Sequence, residues 1–218
     1  MAGDILKVIM MGPPGSGKGT QAELIKNHLG LPHISTGEIF RENIRKNTQL
    51  GQRAGKYIEK GQLVPDELTC EMLFDRIEDE DCKEGYILDG FPRTIEQAER
   101  LDKYLTERGH KIDKVLNMSI PDQEVIRRLS GRRVCSNCEE IYHIDDNPPA
   151  KEGLCNVCGS SVIQRKDDLP EIIKARLDTY YEISQPLISY YNRSGLVTIV
   201  DGTIGKTNVT RFILSLFG

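Results

Sequence analysis

The sequence lacks an excess of basic residues. Its 29 Lys and Arg are outnumbered by 33 Asp and Glu, which leaves a formal charge of −4 at pH 7. A protein that binds nucleic acid along its surface needs a basic face, so we expect no nucleic-acid partner. Any strongly anionic ligand must instead be held by Lys and Arg side chains that cluster locally.

A long hydrophobic run and an N-terminal targeting signal are lacking too. Residues 1–4 lead into the first apolar segment without the basic region or the cleavage site of a signal peptide, and no segment has the length of a membrane span. We therefore expect a cytoplasmic protein with no membrane partner. Disulfides are rare in the cytosol, so metal binding or free thiols explain the six cysteines better.

Internal repeats are absent as well, and strand and helix patterns alternate along the chain. Apolar runs at 5–11, 86–88, 115–120 and 196–200 predict buried strands, with helical segments between them. The alternation predicts an α/β fold in which a parallel five-stranded sheet carries helices on both faces. In such folds ligands bind at the carboxyl ends of the strands.

A glycine-rich loop, Gly-Pro-Pro-Gly-Ser-Gly-Lys-Gly-Thr at 12–20, separates the first predicted strand from a helix that extends to Leu29. Backbone N–H groups of such a loop converge on one anion, the helix N-terminus adds partial positive charge, and Lys18 adds a full charge. The loop therefore predicts a triphosphate-binding site. In the usual phosphate-loop pattern Ser or Thr follows the lysine directly, whereas here Gly19 precedes Thr20.

Residues 35–64 have the pattern of a small helical insertion, which we call the helical lobe. Ser35 and Glu38 form a capping-box pattern at the start of its first helix, and Gly61 is placed to end its second helix. Just beyond the lobe, Asp66 is predicted to cap the next helix.

Residues 131–168, which we call the cysteine lobe, lose the helical pattern and carry two Cys-x-x-Cys pairs. The four cysteines are Cys135, Cys138, Cys155 and Cys158. Four thiolates at this spacing can close a tetrahedral site that suits structural zinc, and the ion would stabilise a lobe too small to fold unaided. An iron–sulfur cluster, a disulfide pair and four thiols without a ligand role are the alternatives. Cys70 and Cys82 lie outside the pattern and are interpreted as ordinary thiols.

Five segments together resemble the adenylate kinases in order and spacing. They are 12–21, 35–37, 89–94, 131–133 and 165–168. The resemblance spans nearly the whole chain and is to the bacterial type with a long lid, some of whose members carry a four-cysteine zinc site there. It implies a P-loop NTPase-like core of residues 1–34, 65–130 and 169–218, with the helical lobe binding AMP and the cysteine lobe acting as the lid. Gly19 before Thr20 is the form that this family uses.

The resemblance implies a monomer that transfers a phosphoryl group reversibly from Mg-ATP to AMP, giving two ADP. The implied catalytic residues are Lys18, Arg93, Arg132, Arg165 and Arg176. The implied ATP-binding residues are Gly15, Ser16, Gly17, Lys18, Gly19, Thr20, Arg128, Arg132, Ile141, Tyr142 and Ile204. The implied AMP-binding residues are Thr36, Arg41, Gln62, Leu63, Val64, Gly90, Phe91, Pro92, Arg93, Gln97, Arg165 and Arg176. Asp89 and Thr20 would hold Mg²⁺ through water, and the four cysteines of the lobe would hold Zn²⁺.

Two alternatives stay open at this point. A kinase for UMP or CMP would share the core and much of the arginine set, although those enzymes usually have short lids. A nucleotide-dependent switch or a zinc protein that binds nucleic acid is the second alternative. Against it, the sequence has no Asn-Lys-x-Asp motif for reading guanine, and the cysteine lobe carries more acidic than basic residues.

Overall fold

Strands form two separate sheets within residues 6–217, the part of the chain that this computed structural model describes. The strands are β1 (Leu6–Met11), β2 (His33–Ser35), β3 (Gly85–Asp89), β4 (Lys114–Ser119), β5 (Arg132–Cys135), β6 (Ile141–His143), β7 (Val162–Ile163) and β8 (Val197–Asp201). One sheet is parallel, with the order β2-β3-β1-β4-β8, and the other is antiparallel, with the order β6-β5-β7. The predicted five-stranded parallel sheet is confirmed. Ile5, which was predicted to begin the first strand, lies outside the described residues.

Helices cover both faces of the parallel sheet. They are α1 (Lys18–Leu29), α2 (Thr36–Arg45), α3 (Gln49–Ile58), α4 (Asp66–Ile77), α5 (Ile95–Thr106), α6 (Asp122–Gly131), α7 (Pro170–Thr179), α8 (Pro186–Asn192) and α9 (Lys206–Leu214). A π-helical turn at Tyr180–Ser184 joins α7 to α8. None of the helices within residues 6–217 combines the length and the apolar character that a bilayer crossing requires.

The central strand β1 shows why its sequence is apolar at every position of residues 8–11. Val8 and Met10 pack with side chains of α1 and α9, whereas Ile9 and Met11 pack with side chains of α4, α5 and α8. Successive residues of a strand point to opposite faces, so a strand covered on both faces needs apolar residues at every position. This burial fixes β1 in the middle of the sheet and holds the loop that follows it.

The short edge strand β2 is the one strand of the parallel sheet whose position the sequence did not predict. It pairs with β3 over His33, Ile34 and Ser35. Three residues are too few to show a strand pattern, and Ser35 also serves as the cap of α2, where its hydroxyl accepts a hydrogen bond from the Glu38 N–H at 3.4 Å. The predicted helix start is confirmed, and the strand precedes it directly.

The prediction that Asp66 caps α4 is wrong. The residue before the helix is Pro65, and no side chain in the described part of the chain caps this end. The Asp66 carboxylate instead accepts hydrogen bonds from the side chains of Thr94 and Gln97, both at 2.7 Å. These partners lie 28 and 31 residues away in the sequence, so local patterns could not reveal them.

Candidate active site

A cleft of about 1370 Å³ opens at the carboxyl ends of the parallel strands. It is bounded by the glycine-rich loop, by the helical lobe and by the cysteine lobe. Every predicted site residue of the glycine-rich loop lines this cleft. The position agrees with the general rule that ligands of open α/β sheets bind where the strands end.

The glycine-rich loop delivers the N-terminus of α1 to the cleft. Gly17 precedes the helix with a φ of 95°, a conformation that side chains strongly disfavour, and no side chain caps the first turn. The first N–H groups of a helix have no acceptor within the helix. The loop therefore offers an anion several backbone donors together with the positive end of the helix.

Lys18 is the cation closest to this loop. Its ammonium group donates hydrogen bonds to the carbonyl oxygens of Gly12 at 2.8 Å and Pro13 at 2.7 Å. Burial, the largest cause, lowers the pKa of Lys18, Asp89 opposes it and nearby arginines add to it, and together these effects bring the pKa to about 8. The buried ammonium group of Lys18 is thus repelled by the neighbouring arginines, and a bound polyphosphate would offset that repulsion.

Asp89 ends β3 beside the first turn of α1. A Cβ atom on Gly19 would lie 3.2 Å from the Asp89 carboxylate, so a larger residue after Lys18 would crowd it. Burial raises the pKa of Asp89, but the neighbouring His33, whose Nε2 lies 3.6 Å from the carboxylate, and the charge of Lys18 outweigh burial, and the net shift is downward. Asp89 is therefore ionised at neutral pH. A carboxylate and the Thr20 hydroxyl near one phosphate site are the hard oxygen donors that suit Mg²⁺.

Arginines from the cysteine lobe and from α7 converge on one buried carboxylate. Arg132 binds Asp168 through two hydrogen bonds of 2.7 and 2.6 Å, and Arg176 binds the same carboxylate at 3.0 Å. Asp168 is fully buried. Arg165 lies nearby, and burial, together with the charges of Arg41 and Arg132, lowers its pKa to about 9. Asp168 therefore fixes two guanidinium groups, while the cluster as a whole retains strong mutual repulsion.

A smaller cavity lies between the helical lobe and the sheet. Seven of the predicted AMP-binding residues line it besides Arg93 and Arg176: Thr36, Arg41, Gln62, Leu63, Val64, Gly90 and Gln97. The Gly90 carbonyl accepts hydrogen bonds from the Thr36 hydroxyl and from Arg93 Nε, both at 2.8 Å. Arg41 Nε is buried and has no hydrogen-bond partner among the described residues. A buried, unpartnered guanidinium donor calls for an acceptor from a ligand.

Two of the residues predicted to bind nucleotide do not line either cavity. The Phe91 side chain is 1% exposed and packs in the main core, where its ring meets Phe74 edge to face. Ile204 is exposed, and only its neighbours Thr203 and Gly205 line the cleft. Any contact of Phe91 with a ligand would have to come from its backbone.

The other residues predicted for the ATP base line the cleft. Arg128 donates to the Gly202 carbonyl at 2.9 Å and binds Glu124 at 2.6 Å. Ile141 and Tyr142 line the cleft, but the Tyr142 hydroxyl lies 3.3 Å from Cys155 Sγ and accepts a bond from a backbone N–H. The Tyr142 side chain is thus part of the core of the cysteine lobe.

The four cysteines of the cysteine lobe form one compact cluster. Their sulfur atoms all lie within 4.8 Å of one another, with separations of 3.4 Å for Cys135 and Cys158 and 3.5 Å for Cys138 and Cys155. None of these cysteines is in a disulfide. Tetrahedral zinc with Zn–S bonds of about 2.3 Å requires sulfur separations of roughly 3.8 Å, close to those observed. Backbone N–H groups also donate to Cys135 and Cys155, as is usual around thiolate ligands.

Comparison with known proteins decides the family. The model of the family described as adenylate kinase matches residues 10–196. This chain is 50% identical over 213 residues to an adenylate kinase of Caldicellulosiruptor bescii, covering 98% of this chain and 99% of the relative. It is 51% identical over the same length to adenylate kinases of Clostridium perfringens and Lachnospira eligens, covering 98% of this chain and at least 99% of each relative. The chain belongs to the adenylate kinase family.

Sequence reasoning missed the groups that hold the site residues of this adenylate kinase family member in place. Asp168 orients two arginines, Glu124 binds both Arg127 and Arg128, and Asp66 binds Gln97. Each is an acidic residue, and the sequence has 33 of those. For Asp168 the segment 165–168 was a signal, but its arginine partners could be recognised only in three dimensions.

Proposed function

We propose that this protein catalyses reversible phosphoryl transfer between Mg-ATP and AMP, giving two ADP. The observation that carries the proposal is the convergence, around one cleft, of a phosphate loop and of arginines from five separate segments. These arginines are Arg41, Arg93, Arg132, Arg165 and Arg176. A single bound triphosphate would need only the loop. Two phosphate-bearing substrates that face each other need cations between and around their phosphates.

The arginines supply what this reaction requires. Phosphoryl transfer passes through a loose transition state in which negative charge spreads over the moving group, so positioned cations contribute more than a general base does. We assign Lys18 and Arg132 to the ATP phosphates. Arg93, Arg165 and Arg176 lie between the two substrates, and Arg41 holds the AMP phosphate with its Nε donor, which has no hydrogen-bond partner within residues 6–217.

Mg²⁺ and Zn²⁺ have different roles in this proposal. Asp89 and Thr20 would hold Mg²⁺ through water, and the ion would neutralise charge on the ATP phosphates. The four cysteines of the cysteine lobe would bind Zn²⁺, which would stabilise the lobe because four thiolates leave no open coordination position for a substrate. The proposed contacts with the adenine base of ATP, at Ile141 and near Ile204, do not involve a metal ion.

The two lobes explain how water is kept from the reaction. In our proposal the core consists of 1–34, 65–130 and 169–218, and the helical and cysteine lobes close over AMP and ATP respectively. Closure would exclude solvent and bring the arginines together only when both substrates are bound. We expect lobe opening rather than transfer to limit turnover, so single-turnover transfer should be faster than steady-state turnover.

A panel of acceptors tests the proposed function. Steady-state ADP formation from Mg-ATP should be measured with AMP, UMP, CMP and GMP at equal concentrations. We expect AMP to be preferred strongly, because Thr36 and Gln97 line the cavity on the acceptor side. A clear preference for UMP or CMP would replace the proposal by the pyrimidine alternative. Binding of DNA or RNA that weakens with salt would instead support the nucleic-acid alternative.

A further inference from the structure

The amide of Gln97 is held at both of its ends. The residue is 2% exposed and lines the smaller cavity at the start of α5. The Arg93 backbone N–H donates to Gln97 Oε1 at 2.7 Å, and Gln97 Nε2 donates to Asp66 Oδ1 at 2.7 Å. Two short bonds from opposite sides leave this side chain little freedom.

These two partners also determine which way the amide points. A backbone N–H can only donate, and an ionised carboxylate can only accept. Exchanging the two ends of the Gln97 amide would therefore place N–H against N–H at Arg93 and oxygen against oxygen at Asp66. Such buried mismatches cost more than an ordinary hydrogen bond contributes. The orientation of the amide is thus set by chemistry and not by packing.

Asp66 is itself held firmly enough to act in this way. Its second carboxylate oxygen accepts a bond from the Thr94 hydroxyl at 2.7 Å. The same hydroxyl oxygen caps α5 by accepting a bond from the Gln97 backbone N–H at 3.1 Å. Asp66, the first residue of α4, therefore accepts hydrogen bonds both from Thr94, the N-cap of α5, and from the side chain of Gln97.

We propose that Asp66 determines the base specificity of the acceptor site by fixing the Gln97 amide with an N–H towards the small cavity. An amide nitrogen carries two hydrogens, and Asp66 accepts only one of them. The remaining hydrogen can donate to a purine whose ring nitrogen on the pairing edge has a lone pair, as N1 of adenine does. It would oppose N1 of hypoxanthine or guanine, which carries a hydrogen. The inference rests on the proposed function, because it takes the small cavity as the site of the acceptor base.

The test compares AMP with inosine monophosphate, which has hypoxanthine in place of adenine. The values of kcat/KM for both acceptors should be measured at saturating Mg-ATP for the wild type and for Asp66→Asn. The new amide can donate to Gln97 as well as accept from it, so only the Arg93 backbone N–H then opposes the reversed orientation of the Gln97 amide. We expect the preference for AMP over inosine monophosphate to fall at least about tenfold. The matched control is Glu67→Gln, which removes an exposed carboxylate from the same helical turn and should leave the preference unchanged.

A second variant separates positioning from mere stability. Gln97→Leu removes the amide through which Asp66 acts, so adding Asp66→Asn to it should not lower the preference any further. If Asp66→Asn does not fold, Asp66→Glu moves the carboxylate by one methylene and serves in its place. An unchanged preference in the Asp66 variant, or an equal loss in the Glu67 control, overturns the inference. So does a wild type that accepts AMP without rejecting inosine monophosphate, whereas a wild type inactive with AMP refutes the proposed function itself.

Discussion

The helical lobe and the cysteine lobe are of similar length but are stabilised by different means. The helical lobe packs α2 against α3 around the buried residues Phe40, Ala54 and Val64, with further apolar side chains at its edge. The buried cluster of the cysteine lobe consists of Cys135, Tyr142 and Cys155. Apolar burial can therefore hold the helical lobe, whereas in our proposal Zn²⁺ bound by four cysteines stabilises the cysteine lobe. In that proposal the two insertions are stabilised by different chemistry.

Replacing one of the four cysteines should produce the largest difference in stability between the two lobes. We expect Cys135→Ser to lose bound zinc and to unfold the cysteine lobe, because zinc binding contributes on the order of 10 kcal/mol to such small domains. Metal analysis and hydrogen exchange would report this, with protection lost over 131–168 and retained in α2 and α3. Cys70→Ala is the control and should keep its zinc, since Cys70 packs in the main core. Absence of metal from the wild type as well would refute the zinc proposal.

Neutralising the carboxylate at the junction of the cysteine lobe with the core should have the next largest effect. In Asp168→Asn the guanidinium groups of Arg132 and Arg176 lose their shared buried partner. The cost of removing one member of a buried ion pair is about 3–5 kcal/mol. Unfolding in urea would measure it. Asp178→Asn, at an exposed position of α7, should change stability by less than about 0.5 kcal/mol, and equal effects of the two variants would contradict the assignment.

Removing a large side chain from the helical lobe should have a somewhat smaller effect, confined to that lobe. Phe40 is 4% exposed, and Phe40→Ala should cost roughly 3 kcal/mol because a small lobe can only partly fill the cavity. We expect the KM for AMP to rise while the KM for ATP stays constant. Tyr57→Ala, on the exposed side of α3, is the control. An equal rise of both KM values would show that the two lobes are not independent.

Breaking the ion pair of Arg45 with Glu139, which joins the two lobes, should have the smallest effect on stability. Arg45 of α2 lies 3.0 Å from Glu139 of the cysteine lobe, and both side chains are partly exposed. Exposed ion pairs contribute about 0.5 kcal/mol and weaken with salt. A double-mutant cycle with Arg45→Gln and Glu139→Gln should show this coupling at low salt only. The pair of Lys46 with Glu42, at the C-terminal end of α2, offers a control in which Lys46→Gln shows no coupling to Glu139.

Features built from neighbouring residues could be predicted from the sequence, whereas contacts between distant residues could not. The phosphate loop and the cysteine pairs are local motifs, and the structure has both as compact units. Gly19 could be recognised as a family feature. Its proximity to Asp89 could not, because Gly19 lies in the first turn of α1 and Asp89 lies at the end of β3, far away in the sequence. The same holds for Asp66, whose expected capping role was wrong, since a distant hydrogen-bond partner outweighed the local one. Partners separated by many residues leave no periodic signal in a single sequence.

The most direct test of this account compares AMP with water as the phosphoryl acceptor. ATP consumption should be followed with Mg-ATP alone and after addition of AMP. If lobe closure over both substrates assembles the arginines, AMP should raise ATP consumption by at least about a thousandfold, in line with the usual contribution of an arginine to phosphoryl transfer. ATP hydrolysis that proceeds at a similar rate without AMP would contradict the account.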